Sequence, residues 1–140
     1  MITFGIKVES IPLLVRRCAY AVVAGEAGRV AAVLDGGKFF LPGGGIEAGE
    51  SAADAVHREV AEELGCAVTL GENLGDTLQY SLYEGCCYEL RATFFRAALL
   101  DAAAGEAISM EHEHELLWVT PEELHHPCQA WAATEAAQAG

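Results

Sequence analysis

The stretch that most constrains the fold is a turn-rich segment that runs directly into an amphipathic helix. Four consecutive residues, Pro42 to Gly45, interrupt regular structure and predict a tight loop. Ser51 is a good helix N-cap with an acidic residue three positions later, and Gly65 is a suitable C-cap. The spacing therefore predicts a helix over 51–65. The apolar stripe expected to face a sheet comprises Ala53, Val56, Val60 and Leu64.

The same helix carries three glutamates on one sector beside that stripe. Glu59, Glu62 and Glu63 lie at i, i+3 and i+4, where like charges destabilise a helix. A cation among them removes the repulsion, and carboxylate oxygens favour Mg²⁺ or Mn²⁺, or Ca²⁺ if the cage is roomy. Ala52 and Ala55 lie on this sector and should leave room for a ligand above the helix. The alternative interpretation is an amphipathic helix with a solvated acidic face.

Short segments rich in β-branched and aromatic residues surround the helix and predict a sheet. They are 18–24, 30–34, 39–41, 66–70, 76–83, 86–99 and 116–119. Strands with helices on either side predict an α/β or α+β sandwich. The Ala-rich segment 129–139 predicts a short, frayed helix. Since the chain has 140 residues without a repeat or linker, we expect one domain over 1–140 with peripheral ends at 1–15 and 129–140.

The charge balance limits the partners. Asp plus Glu number 21 against 8 Lys plus Arg, for a formal net charge of -13. Such a surface repels phosphate backbones and anionic membranes, so neither a nucleic acid polymer nor a membrane is expected as a partner. An anionic substrate would need a bound divalent cation to reverse the local field.

The cysteines indicate a reducing compartment. There are five, an odd number, and none is arranged as Cys-x-x-Cys. We interpret them as buried, reduced thiols, which together with the absence of a signal-peptide pattern predicts a cytoplasmic protein. The adjacent pair Cys86-Cys87 has no assigned role.

The segment from Gly44 to Cys66 resembles the Nudix box, the signature of the Nudix hydrolase family. That pattern is Gly, five residues, Glu, seven residues, Arg-Glu, an aliphatic residue, any residue, Glu-Glu, any residue, Gly and an aliphatic residue. Every specified position but the last matches: Gly44, Glu50, Arg58, Glu59, Val60, Glu62, Glu63 and Gly65. Cys66 stands where an aliphatic residue is expected, and a thiol packs like a small apolar group.

The resemblance implies a fold and an activity. The fold would be a Nudix-like α/β/α sandwich with a curved mixed sheet between helices. The activity would be metal-dependent hydrolysis of a nucleoside diphosphate linked to another group, X, with water attacking phosphorus. The cofactor would be Mg²⁺, with Mn²⁺ as the alternative, and the partner a small nucleotide.

The resemblance also implies roles for individual residues. Divalent cations would be held by Glu59, Glu62, Glu63 and the carbonyl of Gly43. The catalytic set would comprise Glu62, Glu63 and Arg58. Gly44, Gly45 and Glu50 would form the loop beside the phosphates, with Arg58 and Glu50 bracing helix and loop against each other.

The resemblance also implies a further acidic residue from the loop before the last strand. The candidates are Glu111, Glu113 and Glu115, of which we favour Glu113 as general base or extra metal ligand; a solvated loop carboxylate is the alternative. The neighbouring His112 and His114, and His125-His126, are interpreted as exposed loop residues rather than zinc ligands. Trp118 and Tyr80 are expected in the core.

The group X is not identified by markers outside the box. In size the chain resembles the family members that cleave nucleoside triphosphates, which implies a nucleoside triphosphate pyrophosphohydrolase. Tyr83, seventeen residues past the box, is a weak sign of a dinucleoside polyphosphate hydrolase. A Nudix module that senses a nucleotide without cutting it, and an acidic metal-binding helix on an unrelated α/β fold, remain as alternatives. A homodimer is left open.

Overall fold

A computed structural model describes residues 1–100 and 115–139 of the chain. The described strands are β1 (Ile2–Phe4), β2 (Leu13–Val23), β3 (Val30–Asp35), β4 (Lys38–Phe40), β5 (Gly43–Gly45), β6 (Val68–Tyr83), β7 (Cys86–Leu99) and β8 (Leu116–Val119). The described α-helices are α1 (Ala52–Leu64) and α2 (Pro127–Ala139). None of these described helices is long and apolar enough to cross a membrane.

The described strands form two sheets. The larger is mixed, in the order β1-β6-β7-β2-β5, with parallel pairing of β1 with β6 and of β2 with β7. The smaller is antiparallel, in the order β4-β3-β8. The short strand β5 pairs with β2 between Cys18 and Tyr20, which brings the glycine segment to the edge of the larger sheet beside α1.

The two helices cover opposite faces of the larger sheet. Alternate residues of β2 face opposite ways. Ala19, Ala21 and Val23 pack in the cluster that contains α1. Val22 packs with Phe94 in the cluster that contains α2. The predicted sandwich of a mixed sheet between helices is therefore confirmed.

Helix α1 begins and ends where the sequence predicts. The Asp54 amide donates to Ser51 Oγ at 3.0 Å, and the Ser51 amide donates to Asp54 Oδ2 at 3.2 Å, forming a capping box. Gly65 terminates the helix in the left-handed conformation, with φ 66°.

The buried stripe of α1 differs from the predicted one by a small rotation. Val56, Val60 and Leu64 are buried as expected, but Ala53 is only half-buried and Ala55 is fully buried in its place. The expectation that Ala52 and Ala55 leave room for a ligand is wrong, because both pack against the core. The rotation brings Glu63 to the edge of the buried face, where it is 9% exposed.

Two segments expected to be irregular are strands. Gly43 to Gly45 were predicted as a tight loop, but they pair in register with β2 because glycine permits close backbone approach. A Cβ on Gly43, whose φ is 143°, would overlap the Ala19 carbonyl oxygen. The predicted break between 70 and 76 is a pair of register shifts within one continuous strand, β6.

Helix α2 lies deeper than a peripheral, frayed helix would. The buried apolar residues of α2 are Cys128, Ala132, Ala133 and Ala136, and small side chains allow this close packing against the sheet.

All five cysteines remain thiols, and Cys86 alone among them is only partly buried. This agrees with the predicted reduced, mostly buried state.

Candidate active site

Arg58 connects α1 to the segment that follows β5. Its Nε donates to Glu50 Oε2 at 2.7 Å and its Nη2 donates to Glu50 Oε1 at 3.0 Å. The same Nη2 donates to the Gly45 carbonyl at 2.9 Å. The Glu47 amide also donates to Glu50 Oε1, at 2.8 Å. The helix and the loop are thus joined by a bidentate guanidinium–carboxylate pair, which is a strong and directional contact.

This pairing changes the acidity of both groups. Hydrogen bonds from Arg58, and then from the Glu47 amide, lower the pKa of Glu50 from its ordinary value of 4.5 to about 2. The pKa of Arg58 is raised, chiefly by the hydrogen bonds with Glu50. Both groups are therefore charged at neutral pH.

Two glutamates of α1 lie directly against the glycine strand. Glu63 Oε1 accepts a hydrogen bond from the Gly43 amide at 2.9 Å. Glu59 Oε1 accepts from Arg58 Nη1 at 2.9 Å, and its carboxylate lies against Gly44, where an added Cβ would come within 2.8 Å of the Glu59 Cδ. Gly44 therefore leaves the space that the Glu59 carboxylate occupies.

Glu62 lies at the solvent edge of the same sector. Its side chain is 55% exposed, and its Oε2 is 3.5 Å from Arg58 Nη1. The three glutamates that the sequence singles out, with Gly43, Gly44, Gly45 and Glu50, are thus brought around Arg58 and the end of β5.

The chemical type of these donor groups suits a hard divalent cation. Carboxylate oxygens beside a glycine backbone are the ligands that Mg²⁺ and Mn²⁺ prefer. Within residues 1–100 and 115–139, however, no three or more acidic, histidine or cysteine side chains are grouped as a ready metal site. Glu59 and Glu63 instead point toward Arg58 and the Gly43 amide.

A small cavity of about 220 Å³ opens beside Gly43 and Glu63. Tyr20, Asp35, Phe40 and His126 also line it. The Phe40 and His126 ring centroids are 5.5 Å apart, and both residues line the cavity next to the acidic helix.

His126 is fixed in this cavity by a partner far away in the chain. The Cys128 amide donates to Gln79 Oε1 at 3.1 Å, which turns Gln79 Nε2 toward His126 Nδ1 at 2.9 Å. Because an amide nitrogen only donates, Nδ1 accepts and the imidazole is neutral. Burial, then His125 and Lys38, lower the pKa of His126, in agreement with that form.

His126 was interpreted from the sequence as an exposed loop residue, and that was wrong. It is half-buried because α2 packs deeply and carries the preceding residues against β4 and β6. Gln79 and His126 are separated by 47 residues, so no spacing in the sequence indicates the pair.

The remaining candidates lie apart from the site or beyond the described residues. Glu111, Glu113, His112 and His114 lie outside the described residues. Glu115 is exposed just before β8. Trp118 was expected in the core but is 42% exposed, because it lies on the edge strand of the smaller sheet, where its ring is beside Gly25. Tyr80 is half-buried, and its hydroxyl donates to Glu89 at 2.9 Å.

Comparison with known proteins gives one family and a consistent fold. The sequence model of the NUDIX domain matches residues 14–138. A Mycobacterium tuberculosis protein named "Putative 8-oxo-dGTP diphosphatase 2" is 36% identical over 92 residues. That match covers 64% of this chain and 58% of the relative, so less than two thirds of the relative's length is represented.

Solved structures agree over most of the chain. The MutT protein from Methanosarcina mazei Go1 superposes with a TM-score of 0.65 at 25% identity, covering 94% of this chain and 97% of that one. A UDP-X diphosphatase gives 0.66 at 18% identity, covering 95% of this chain and 66% of that one, and so indicates the fold alone.

Proposed function

Since this chain belongs to the NUDIX domain family, we propose that it hydrolyses a diphosphate linkage in a small nucleotide, a nucleoside diphosphate linked to X, in a metal-dependent reaction. The observation that carries the proposal is the gathering of Glu59, Glu62 and Glu63 at the glycine strand. Arg58 links Glu59 and Glu62 to the Gly45 carbonyl, and Glu63 accepts directly from the Gly43 amide. We further propose that residues 1–140 act as one domain, which the family match over 14–138 supports. We propose in addition that the protein is cytoplasmic.

The acidic residues of α1 would hold the cation. Glu59, Glu62, Glu63 and the Gly43 carbonyl are the proposed ligands, with Mg²⁺ preferred and Mn²⁺ as the alternative. When bound, the ion neutralises the diphosphate and lowers the pKa of a bound water.

The other residues position these groups. Arg58 keeps Glu59 against the glycine strand and fixes the loop through Glu50, so that the acidic residues are oriented before substrate arrives. Both glycines belong to the proposed phosphate loop. Gly45 has open space where its Cβ would stand, which leaves its backbone accessible to phosphate oxygens, whereas Gly44 makes room for the Glu59 carboxylate. Glu113 is the proposed acceptor of the proton from the attacking water.

Nucleoside triphosphates are the first substrates we propose. The 36% identity to a relative named "Putative 8-oxo-dGTP diphosphatase 2" supports this choice. The ring-lined cavity next to Glu63 would receive the nucleobase or sugar.

The test is a substrate panel with and without chelator. The purified protein is incubated with Mg²⁺ and nucleoside triphosphates, dinucleoside polyphosphates or nucleotide sugars, and phosphate products are measured. We expect cleavage that excess chelator abolishes while the circular dichroism spectrum stays unchanged, because the core needs no ion. Cleavage that survives chelation contradicts the mechanism, and binding without cleavage identifies a nucleotide-sensing module.

A further inference from the structure

Gln129, a fully buried glutamine in the first turn of α2, is bonded to the segment that leads into the glycine strand. Its Oε1 accepts a hydrogen bond from the Leu41 amide at 2.7 Å, although the two residues are 88 positions apart in the chain. Gln129 is 0% exposed and Leu41 is 1% exposed, so water does not compete for this bond. The bond therefore fixes where α2 meets the residues just before β5.

The residues from Leu41 to Gly43 are held by three elements of the fold. The Pro42 carbonyl accepts a hydrogen bond from the Ala21 amide of β2 at 2.8 Å. The Gly43 amide donates to Glu63 Oε1 of α1 at 2.9 Å. Together with the bond from Leu41 to α2, these contacts tie the short segment to both helices and to the sheet. Because proline has a fixed φ, little freedom is left between Leu41 and Gly43.

The Gly43 carbonyl is the one proposed metal ligand that belongs to the backbone. A side-chain ligand can adjust by changing its rotamer, whereas a carbonyl moves only with the chain that carries it. Its place relative to Glu63 therefore depends on what holds the residues before it. Glu63 holds the Gly43 amide from the α1 side, and Gln129 holds the Leu41 amide from the α2 side.

The amide group of Gln129 is only partly satisfied. No described residue accepts a hydrogen bond from its Nε2, although that atom is buried. A buried donor without a partner costs free energy, and an apolar side chain would avoid this cost. Methionine is an unbranched apolar residue that adapts to irregular core sites. What distinguishes Gln129 from a methionine at this position is thus the acceptor that it supplies to Leu41.

From these contacts we propose that Gln129 is a positioning residue for the metal site, which sets the place of the Gly43 carbonyl through the Leu41 amide. The proposal rests on the proposed function, in which that carbonyl is a metal ligand. It gives α2, which contributes no ligand of its own, a part in binding the cation. Loss of the acceptor releases Leu41 and lets the Gly43 carbonyl shift relative to Glu63.

The test measures binding of Mn²⁺ alone, so it does not depend on catalysis. Free Mn²⁺ is followed by electron paramagnetic resonance in the unmodified protein, Gln129→Met and Gln129→Glu, and the thermal midpoint of each is recorded. Gln129→Met has no acceptor, and we expect its dissociation constant to rise about tenfold, the lower end for groups that orient metal ligands. Gln129→Glu keeps an oxygen that can accept from Leu41, so its dissociation constant should stay close to that of the unmodified protein.

The two variants separate positioning from a merely structural role. A buried carboxyl is costly, so Gln129→Glu should lower the thermal midpoint more than Gln129→Met does, whereas Mn²⁺ affinity should follow the acceptor. Ala136→Gly, two turns further along the buried side of α2, is the matched control. It should lower the midpoint and leave Mn²⁺ affinity unchanged.

Two results would overturn the proposal. One is equal Mn²⁺ affinity in Gln129→Met and the unmodified protein, and the other is an affinity that falls with the thermal midpoint in all three variants. If Gln129→Met does not fold, Gln129→Asn takes its place, because its shorter side chain cannot reach Leu41. If Gln129→Glu does not fold, the comparison of Gln129→Met with Ala136→Gly decides the outcome.

Glu63→Gln distinguishes failure of this proposal from failure of the proposed function. It removes a charge from the proposed metal site and so identifies the Mn²⁺ binding that belongs to α1. If Glu63→Gln leaves Mn²⁺ binding unchanged, the metal-dependent function fails, and this role of Gln129 fails with it. If Glu63→Gln weakens binding and Gln129→Met does not, only the positioning role fails. Mn²⁺ binding without cleavage of any nucleotide refutes hydrolysis alone, and the Gln129 variants still decide the positioning role.

Discussion

The guanidinium of Arg58 and the carboxylate of Glu50 form a bidentate ion pair, with N···O distances of 2.7 and 3.0 Å. The pair joins the acidic helix to the loop that leads into it. Because Arg58 also donates to Glu59 and to the Gly45 carbonyl, one side chain aligns the helix, the loop and a proposed metal ligand.

Replacing Arg58 by lysine should impair activity while the charge is retained. A lysine ammonium cannot donate along two parallel directions, so the link between Glu50 and Glu59 is lost. We expect kcat/KM to fall by up to roughly 10²-fold, the scale of a small misplacement of reacting groups. Steady-state kinetics would measure this, with Arg91→Lys as the control, since Arg91 pairs with Glu89 away from the site. Unchanged kinetics in Arg58→Lys would show that the alignment is not needed.

The pair also predicts a pH dependence of stability. The pKa of Glu50 in the folded protein is about 2, below its ordinary value of 4.5. The contribution of the ionised Glu50 carboxylate to the free energy of unfolding is therefore complete above the ordinary pKa. It is lost as the pH falls through the pKa of the folded protein. The difference in unfolding free energy between the unmodified protein and Glu50→Gln should shrink from pH 4.5 toward about pH 2. Urea denaturation in metal-free buffer at several pH values would measure it; a constant difference contradicts the pairing.

Gly44 and Gly45 should respond differently to substitution by alanine. A Cβ on Gly44 would come within 2.8 Å of the Glu59 carboxyl carbon, whereas no atom lies within 4 Å of a Cβ on Gly45. Gly44→Ala should displace the Glu59 carboxylate, with little loss of stability because that carboxylate ends a flexible side chain. The Mg²⁺ concentration for half-maximal activity should rise about tenfold, the lower end for groups that orient metal ligands.

Gly45→Ala is the matched control for this experiment. It should leave both the Mg²⁺ requirement and the thermal midpoint close to those of the unmodified protein. A similar Mg²⁺ requirement in the two variants would show that Glu59 does not act through the space at Gly44.

The acidic residues of α1 should act as a unit. Glu62→Gln and Glu63→Gln should each lower kcat by about 10²-fold or more, the order for losing one preorganised electrostatic group. The double variant should lose much less than the product of the single losses, because both groups serve one site. Glu63→Gln keeps an oxygen that can accept from the Gly43 amide, so its fold should persist. Multiplicative losses would indicate separate roles.

Glu113→Gln tests the proposed general base. If Glu113 takes the proton, the acid limb of the pH–rate profile should flatten while the Mg²⁺ requirement stays nearly constant. A shift to higher Mg²⁺ concentration would instead make it a metal ligand. If neither changes, Glu113 has no role, and Glu111 and Glu115 become the residues to test.

The site could be predicted from the sequence to the extent that it is local. The ends of α1 depend on Ser51, Asp54 and Gly65, each of which acts within a few residues of its position. The glutamates of α1 share a sector because of the helical repeat alone. These features need no knowledge of the rest of the chain, and the resemblance to the Nudix box depends on the same short stretch.

Packing between distant segments decided the rest. The triple glycine became a strand only because β2 supplied a partner backbone. Likewise, α2 entered the core because the sheet presented a face that small side chains could approach closely. Gln79 and His126 meet across 47 residues, and Arg16 and Lys38, which lie on separate strands, line one cavity. Short-range preferences act over one or two turns of chain, whereas burial is set by whichever surfaces the whole fold brings together; only the tertiary structure could decide these contacts.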